Sequence, residues 1–237
     1  MNRILKSLTV LTASALLGFG AEAQDFLGPN ETYHLSSDGT SLVISGFRDV
    51  GRKDEIVFAN AFLWTVENVC PKHREGISDI VYRERFSFDV TLEHMMPDRK
   101  PRKFSATVTL RFKDGKMSYL VSNITCQGSA TLSKMSPIEK FNQKDTPANR
   151  QIIIGFETVC SKMLADLFHY VDTNSPMYIT HWDDIIASRP VKGMNTDECL
   201  LAFGKPVNIS GTDEVHWMYP SSFFLFFKDG KLTTILM

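Results

Sequence analysis

The sequence FKDGK occurs twice in the chain, at residues 112–116 and at residues 227–231. Each copy places an Asp-Gly pair between stretches rich in strand-forming residues. A two-residue turn of type I′ needs positive φ at both central positions, which Asp and Gly tolerate, and its twist matches that of the paired strands. Both copies are therefore predicted to be the turns of β-hairpins, and the repeat does not imply duplicated chemistry.

The residues around the first Asp-Gly pair also predict how its two strands align. Apolar and polar side chains alternate on both sides of the turn, as expected for strands with one buried face. If Lys113 pairs with Lys116, the apolar residues all fall on the same face. The predicted cross-strand pairs are Phe112 with Met117, Leu110 with Tyr119, and Val108 with Val121. A slip by one residue would turn these side chains towards water.

Three segments have the pattern of amphipathic helices. Residues 54–69 combine apolar residues at helical spacing with an acidic start and a proline just past the end. Residues 150–170 carry an apolar stripe along about five turns, which makes this the longest predicted helix. A short helix at residues 196–203 is favoured by a capping residue at Asn195 or Thr196 and by Gly204 at its end.

These elements predict an α+β fold of two small domains, each with helix packed on an antiparallel sheet. Residues 1–23 are interpreted as a signal peptide, residues 24–135 as the first domain, and residues 136–237 as the long helix and the second domain. Residues 128–149 lose periodicity and gain Ser, Pro, Lys and Asn, so they are interpreted as the linker. The short helix can cover one face of the last sheet, and the long helix can cover the other.

The amino-terminal segment is typical of a secretory signal. It has a positive start, an apolar run at residues 8–19 and a small-x-small motif that ends at Ala23. The first cysteine is Cys70, so no cysteine at the cleavage site is available to carry a lipid. The expected location is the periplasm or the exterior, with no transmembrane helix after signal removal.

Charge and cysteine content limit the classes of function. The chain has 26 Lys and Arg residues against 27 Asp and Glu residues, a balance that does not attract nucleic acid. The four cysteines are Cys70, Cys126, Cys160 and Cys199. In an oxidising compartment they can form disulfides in three pairings, among which the sequence does not choose, and buried free thiols remain an alternative. The cysteines have no CxxC spacing, so the sequence does not favour a zinc site.

The sequence contains no motif that identifies an active site. GxSxG, P-loop and GxGxxG patterns are missing, so no catalytic residue, metal ligand or cofactor is predicted. The segment THWDD offers His181, Asp183 and Asp184, with His169 on the preceding helix, as a metal-binding combination. The same segment is also typical of a solvated turn that leads into Ile185. An enzyme with a site assembled between the domains remains an alternative.

Two surface features are candidates for binding. Residues 222–227 read SFFLFF and are apolar on both faces of a strand. The pairing expected here places four aromatic residues on one face, namely Trp217, Tyr219, Phe224 and Phe226. These residues are core if a helix covers the face and a partner-binding site if none does. Residues 95–103 form a basic loop with Arg99, Lys100, Arg102 and Lys103, which suits anionic lipid headgroups or acidic glycans but also an ordinary solvated turn.

The first half resembles a family of uncharacterised secreted bacterial domains with a TATA-binding-protein-like (TBP-like) fold. The resemblance covers roughly residues 38–126. It rests on a helix that begins at Asp54, on Trp64 followed by Glu67-Asn68, and on the hairpin RFKDGKMSYLVSNIT. It implies a shape and no binding of DNA.

The last 45 residues or so are similar to the SmpA/OmlA (BamE-like) family of outer-membrane assembly lipoproteins and to the related β-lactamase-inhibitor fold. The matching motifs are Gly193-Met194, Gly204-Lys205-Pro206, Trp217-Met218-Tyr219 and Asp229-Gly230-Lys231, although the lipidated cysteine is missing. The resemblance implies a non-catalytic module that contacts an envelope protein. The expected function is binding or envelope assembly, with a hydrolase or metal-dependent enzyme and a carrier of small apolar ligands as alternatives.

Overall fold

A computed structural model of the protein describes residues 33–70, 74, 76–129, 132–175 and 179–237. The predicted signal peptide lies outside the described residues. The elements follow in the order β1 (Ser36–Ser37), β2 (Leu42–Asp49), α1 (Asp54–Asn68), β3 (Ile77–Val81), β4 (Arg85–Met95), β5 (Pro101–Lys113), β6 (Lys116–Ser129), β7 (Leu132–Pro137), α2 (Glu139–Asn142), α3 (Pro147–Thr173), α4 (Trp182–Ile186), α5 (Thr196–Phe203), β8 (Asn208–Ser210), β9 (Glu214–Tyr219), β10 (Phe223–Lys228) and β11 (Lys231–Leu236).

The strands form two antiparallel sheets, and helices pack on both of them. The larger sheet has seven strands in the order β1-β2-β6-β5-β4-β3, with β7 also paired to β6. The smaller sheet has four strands in the order β11-β10-β9-β8. This arrangement confirms the predicted α+β fold class.

Both Asp-Gly turns are the hairpin tips that the sequence predicts. Asp114 and Gly115 have φ of 54° and 76°, and Asp229 and Gly230 have φ of 51° and 72°. Two successive positive φ values are the signature of a type I′ turn. The first hairpin pairs Phe112 with Met117, Leu110 with Tyr119, Val108 with Val121, and Lys113 with Lys116, in the predicted register.

Helices α1 and α3 lie side by side on one face of the seven-stranded sheet. The ring of Phe58 in α1 packs 5.3 Å from that of Phe112, and the ring of Phe156 in α3 packs 5.6 Å from that of Phe104. Phe104 and Phe112 belong to the same alternating face of β5, so both helices bury the same side of the sheet.

The position of α3 differs from the prediction. This helix packs on the seven-stranded sheet with α1 and does not cover the four-stranded sheet. An apolar stripe predicts that a helix is buried, but it carries no information about which sheet buries it. Residues 128–149, predicted to be a linker, instead contain β7 and α2. The division into two domains near residue 135 stays a prediction.

Helix α5 covers one face of the four-stranded sheet. Phe203 packs against Tyr219 and Phe223 with ring centroids 6.0 Å and 5.4 Å apart, and the Tyr219 hydroxyl donates a hydrogen bond to the Gly204 carbonyl. The helix begins with a capping box between Asn195 and Glu198. The asparagine that the sequence offered as a cap therefore performs that function.

Contacts between the two sheets' helices make the buried side chains one continuous cluster. Trp182 of α4 packs 5.4 Å from Phe58 of α1, and Arg74 donates hydrogen bonds to the carbonyls of Ile185 and Ala202. Within the described part of the chain, none of the helices combines the length and apolar character needed to cross a membrane.

Candidate interaction surface

The connection between β9 and β10 decides which aromatic side chains reach the surface. The expected pairing assumes a two-residue connection, whereas the structure uses three residues and places Tyr219 opposite Phe223. Two of the three, Ser221 and Ser222, have positive φ of 61° and 60°. One extra residue turns the whole of β10 over, because side chains alternate with a period of two.

The four aromatic residues predicted to share one face are consequently divided between two faces, which corrects the pairing expected from the sequence. Trp217 and Tyr219 point towards α5 and are 7% and 2% exposed. The ring centroids of Trp217 and Phe227 lie 4.8 Å apart in the core. Phe224 and Phe226 lie on the opposite side of the sheet, paired with Met218 and His216. Of these four residues, only Phe224 and Phe226 lie on the side of the sheet away from α5.

We call the side of the four-stranded sheet that points away from α5 the open face. Its side chains form three rows across β9, β10 and β11. The rows are Met218, Phe224 and Leu236; His216, Phe226 and Thr234; and Glu214, Lys228 and Lys231. The face therefore changes from apolar to aromatic to charged along the strands.

The open face has no cover among the residues that the structure describes. Phe224, Phe226 and Met218 are partly exposed and do not join the core cluster, whereas Phe223 and Ile235 on the other face do. Leu236 is 51% exposed. Apolar side chains that share one exposed patch are typical of interaction sites.

The middle and charged rows are linked by local contacts. The ring of His216 lies 4.6 Å from that of Phe226, and its Nε2 lies 3.5 Å from Glu214 Oε2. The remaining members of the charged row are Lys228 and Lys231, so this end of the open face has an excess of positive charge. The sequence shows that His216 and Met218 lie on the opposite face of β9 from Trp217, since they are its neighbours along the strand. The wrong register between β9 and β10 did not bring them together with Phe224 and Phe226.

The outer edge of β11 lies beside the open face and is only partly paired. The N–H of Gly193 donates to the Leu232 carbonyl and the N–H of Leu232 donates to the Met194 carbonyl, both at 2.8 Å. Beyond Leu232, no other strand of the described chain pairs with this edge. Unpaired edges can accept a strand from another chain.

The THWDD segment is used for structural contacts. His181 precedes α4, and its Nδ1 lies 3.0 Å from the Glu198 carboxylate, while Asp184 pairs with Arg189. His169 is exposed on α3. Among the described residues, no group of three His, Cys, Asp or Glu side chains is arranged to hold a metal ion.

Glu198 is a buried carboxylate that joins α5 to the segment before α4. Its oxygens accept hydrogen bonds from the backbone N–H groups of Thr180, His181 and Asn195 at 2.6, 3.1 and 2.8 Å. Burial acts to raise the pKa of Glu198, but the hydrogen bonds from Thr180, Asn195 and His181 outweigh burial and hold it below the usual value. The hydrogen bonds therefore stabilise this carboxylate in its charged form within the fold.

Cys126, Cys160 and Cys199 are free thiols in the structure, so none of the three disulfide pairings is formed. Cys70 is partly exposed, and the other three are buried. Burial raises the pKa of Cys126 to about 11 and the pKa values of Cys160 and Cys199 to about 12. A buried thiol with a raised pKa is a poor nucleophile.

A shallow depression lies where α1 meets the first hairpin. Its lining residues are Lys53, Asp54, Glu55, Arg83, Asp114 and Gly115. Both carboxylate oxygens of Asp54 accept hydrogen bonds from the hairpin tip, and Glu55 pairs with Arg83. Asp54, Glu55 and Arg83 thus already have partners.

The comparisons with known proteins concern the fold. No protein-family model matches the chain, and no curated protein matches it. It is similar to a TBP-like protein from Parabacteroides distasonis, with 11% identity and a TM-score of 0.50 over 59% of this chain and 98% of that chain. A DUF4468 family protein from Bacteroides ovatus aligns with 10% identity and a TM-score of 0.44 over 61% of this chain and 94% of that one.

The first of these similarities confirms the TBP-like fold that the sequence of the first half predicts. At this level of identity the similarity concerns the fold alone, and function has to be argued from the surface.

Proposed function

We propose that this protein is a non-catalytic binding protein that docks a protein partner on the open face of its four-stranded sheet. The single observation behind the proposal is the partly exposed cluster of Phe224, Phe226, His216 and Met218, which no described element covers. Aromatic residues and Met are enriched at the core of protein interfaces. Leaving such a cluster in water does not stabilise a monomer, because full burial of each large apolar side chain would contribute about 1.5–3 kcal/mol to the free energy of folding.

The rows of the open face favour a particular kind of partner. An amphipathic segment that places apolar side chains over Phe224 and Phe226 also brings its next side chains to Lys228 and Lys231. Acidic residues at those positions would complement the positive charge and fix the orientation of the segment. We therefore expect a partner segment with an apolar stripe beside a carboxylate group.

The cell envelope is the proposed location. The predicted signal peptide favours export, and the resemblance of the last 45 residues or so to the BamE-like and β-lactamase-inhibitor folds favours contact with an envelope protein. Assembly of outer-membrane components is the specific role that this resemblance supports. The hydrolase and apolar-carrier alternatives remain hypotheses, and no arrangement of side chains described above favours either.

Site-specific photocrosslinking in the native envelope tests the proposal. A photoreactive phenylalanine analogue is placed at Phe224 or Phe226, with Thr91, an exposed strand residue of the other sheet, as the matched control position. We expect one protein adduct from both open-face positions and none from Thr91. The double variant Lys228→Glu, Lys231→Glu should lower the yield of that adduct. An equal adduct yield from Thr91, or an adduct yield that the lysine changes do not lower, would refute the proposal.

A further inference from the structure

Arg102, near the start of β5, has shielded donor atoms that lack an acceptor among the described residues. Its Nε and Nη1 are screened from solvent and have no hydrogen-bond partner. Two other arginines on the inner side of the molecule are engaged, since Arg48 pairs with Asp172 and Arg74 donates to the Ile185 carbonyl. Shielded donors without an acceptor are rare in folded proteins and call for a specific explanation.

The surroundings of Arg102 place its guanidinium between the sheet and α3. Arg102 and Phe104 are two residues apart in β5, so their side chains lie on the same face of the sheet. The ring of Phe104 packs against Phe156 of α3, so this is the face that the helix covers. The residue opposite Arg102 on β4 is His94. The His94 ring in turn approaches to 3.1 Å the position that a Cβ on Gly155 would occupy. An arginine and a histidine therefore lie side by side under the helix.

The neighbouring cross-strand pair, Lys103 and Glu93, has the opposite charge that the pair of Arg102 and His94 lacks. Lys103 points to the outer face, where its cross-strand partner is Glu93, an opposite charge. The acid of the adjoining turn, Asp98, accepts a hydrogen bond from the backbone N–H of Lys100. Among the described residues no carboxylate pairs with Arg102, so the inner pair has positive character and no internal counter-charge.

We propose that Arg102 and His94 form a binding site for an oxyanion, with phosphate as the reference ligand. A guanidinium presents N–H groups in forks, and Nε and Nη1 each share a fork with Nη2, so two oxygens of one anion can satisfy a fork together. His94 adds a ring N–H beside it. Arg99, Lys100 and Lys103 on the same hairpin raise the local concentration of anions. The phosphate can be free in solution or part of a lipid headgroup.

Side-chain NMR tests the site directly. The Nε–Hε signal of Arg102 is assigned by its loss in Arg102→Lys, and inorganic phosphate is added at constant ionic strength set with chloride. We expect a saturable shift of this signal and of the His94 ring. Arg102→Lys keeps the charge but loses the fork, so phosphate binding, followed through the His94 ring, should weaken roughly tenfold.

Lys103→Gln is the matched control, because it removes one positive charge from the next position and leaves the fork intact. We expect Lys103→Gln to bind phosphate nearly as well as the unaltered protein, and His94→Gln to bind it more weakly. Backbone amide spectra of each variant establish that it is folded. The site is refuted if phosphate moves no Arg102 signal, or if Lys103→Gln and Arg102→Lys weaken binding equally.

Vesicles distinguish the source of the phosphate. The protein is floated with vesicles of phosphatidylcholine alone or with added phosphatidylglycerol. Binding that requires phosphatidylglycerol, is competed by inorganic phosphate and falls more in Arg102→Lys than in Lys103→Gln supports a headgroup. A saturable phosphate shift without vesicle binding supports a soluble phosphate. Vesicle binding that both variants lower equally, with no phosphate shift, would overturn the proposal in favour of non-specific attraction.

Discussion

Asp54 Oδ1 lies 2.7 Å from the backbone nitrogen of Gly115, so the first residue of α1 holds the tip of the first hairpin. The other carboxylate oxygen accepts the N–H of Asp114 at 3.1 Å. The same side chain provides negative charge at the amino terminus of α1, where the helix dipole favours it. One carboxylate thereby connects the helix to the sheet on which it packs.

The two Asp-Gly turns allow a matched test of this contact. Asp54→Asn removes the charge and one of the two acceptors, so we expect the free energy of unfolding to fall by about 1–2 kcal/mol. Asp229→Asn makes the same chemical change at the tip of the second hairpin, where Asn suits a positive φ, and should change stability by less than about 0.5 kcal/mol. Urea unfolding measures both, and equal effects would contradict the proposed contact.

Replacing the glycine should also destabilise the protein more at the first turn than at the second. Both have positive φ, so an alanine costs about 1 kcal/mol at either position. A Cβ on Gly115 would also lie 3.2 Å from the Arg52 carbonyl oxygen, whereas a Cβ on Gly230 meets no atom within 4 Å. We expect Gly115→Ala to lower the thermal midpoint more than Gly230→Ala. A larger loss for Gly230→Ala would show that the first tip is not packed as described.

Adjacent phenylalanines of β10 test the register that defines the open face. Phe227 is fully buried, so Phe227→Ala should cost about 3–5 kcal/mol. Phe226 lies on the open face and is only partly buried, so Phe226→Ala should cost about 1–2 kcal/mol. Chemical unfolding of both variants gives the comparison. The reverse order of stabilities would restore the register expected from the sequence and remove the open face.

The lowered pKa of Glu198 implies that the free energy of unfolding falls at acid pH. Its pKa is held below the ordinary value in the folded protein, so the unfolded chain binds a proton first as the pH falls. The stabilisation is complete above the unfolded pKa of about 4.3 and is lost as the pH drops through the lower folded pKa. Glu198→Gln should lower stability by about 1–3 kcal/mol at neutral pH and flatten the loss below about pH 4.3.

Exposed Glu84 supplies the control for this prediction, because Glu84→Gln alters the same kind of side chain outside the core. Denaturant unfolding at several pH values between neutrality and acid compares the two variants. An unchanged acid dependence in Glu198→Gln would show that other carboxyl groups govern it.

The parts of the fold that depend on local chemistry were predictable from the sequence. Asp-Gly flanked by alternating residues specifies a turn and a register together, which is why the pairing of Phe112 with Met117 follows from the sequence. The connection at residues 220–222 has no such signal. Pro-Ser-Ser permits a turn of two or three residues, and the choice depends on how Tyr219 and Phe223 pack against Phe203.

Features that depend on distant segments were not predictable. The sequence shows that one side of α3 is apolar, but not that Phe156 would meet Phe104. Arg102 reads as one of several charges in a basic loop. Its inward direction follows from strand alternation. That no carboxylate of the described residues pairs with it can be known only from the positions of β4 and α3.

The three-residue connection after β9 has a consequence for how this surface can change in evolution. Deleting a single residue between Tyr219 and Phe223 would exchange the two sides of β10, so that Phe224 and Phe226 would enter the core and Leu225 and Phe227 would leave it. Both sets are apolar, so such a deletion would remodel what the protein displays without leaving a strand of polar side chains to bury. Length variation at this one bend is therefore a direct route to a different binding preference.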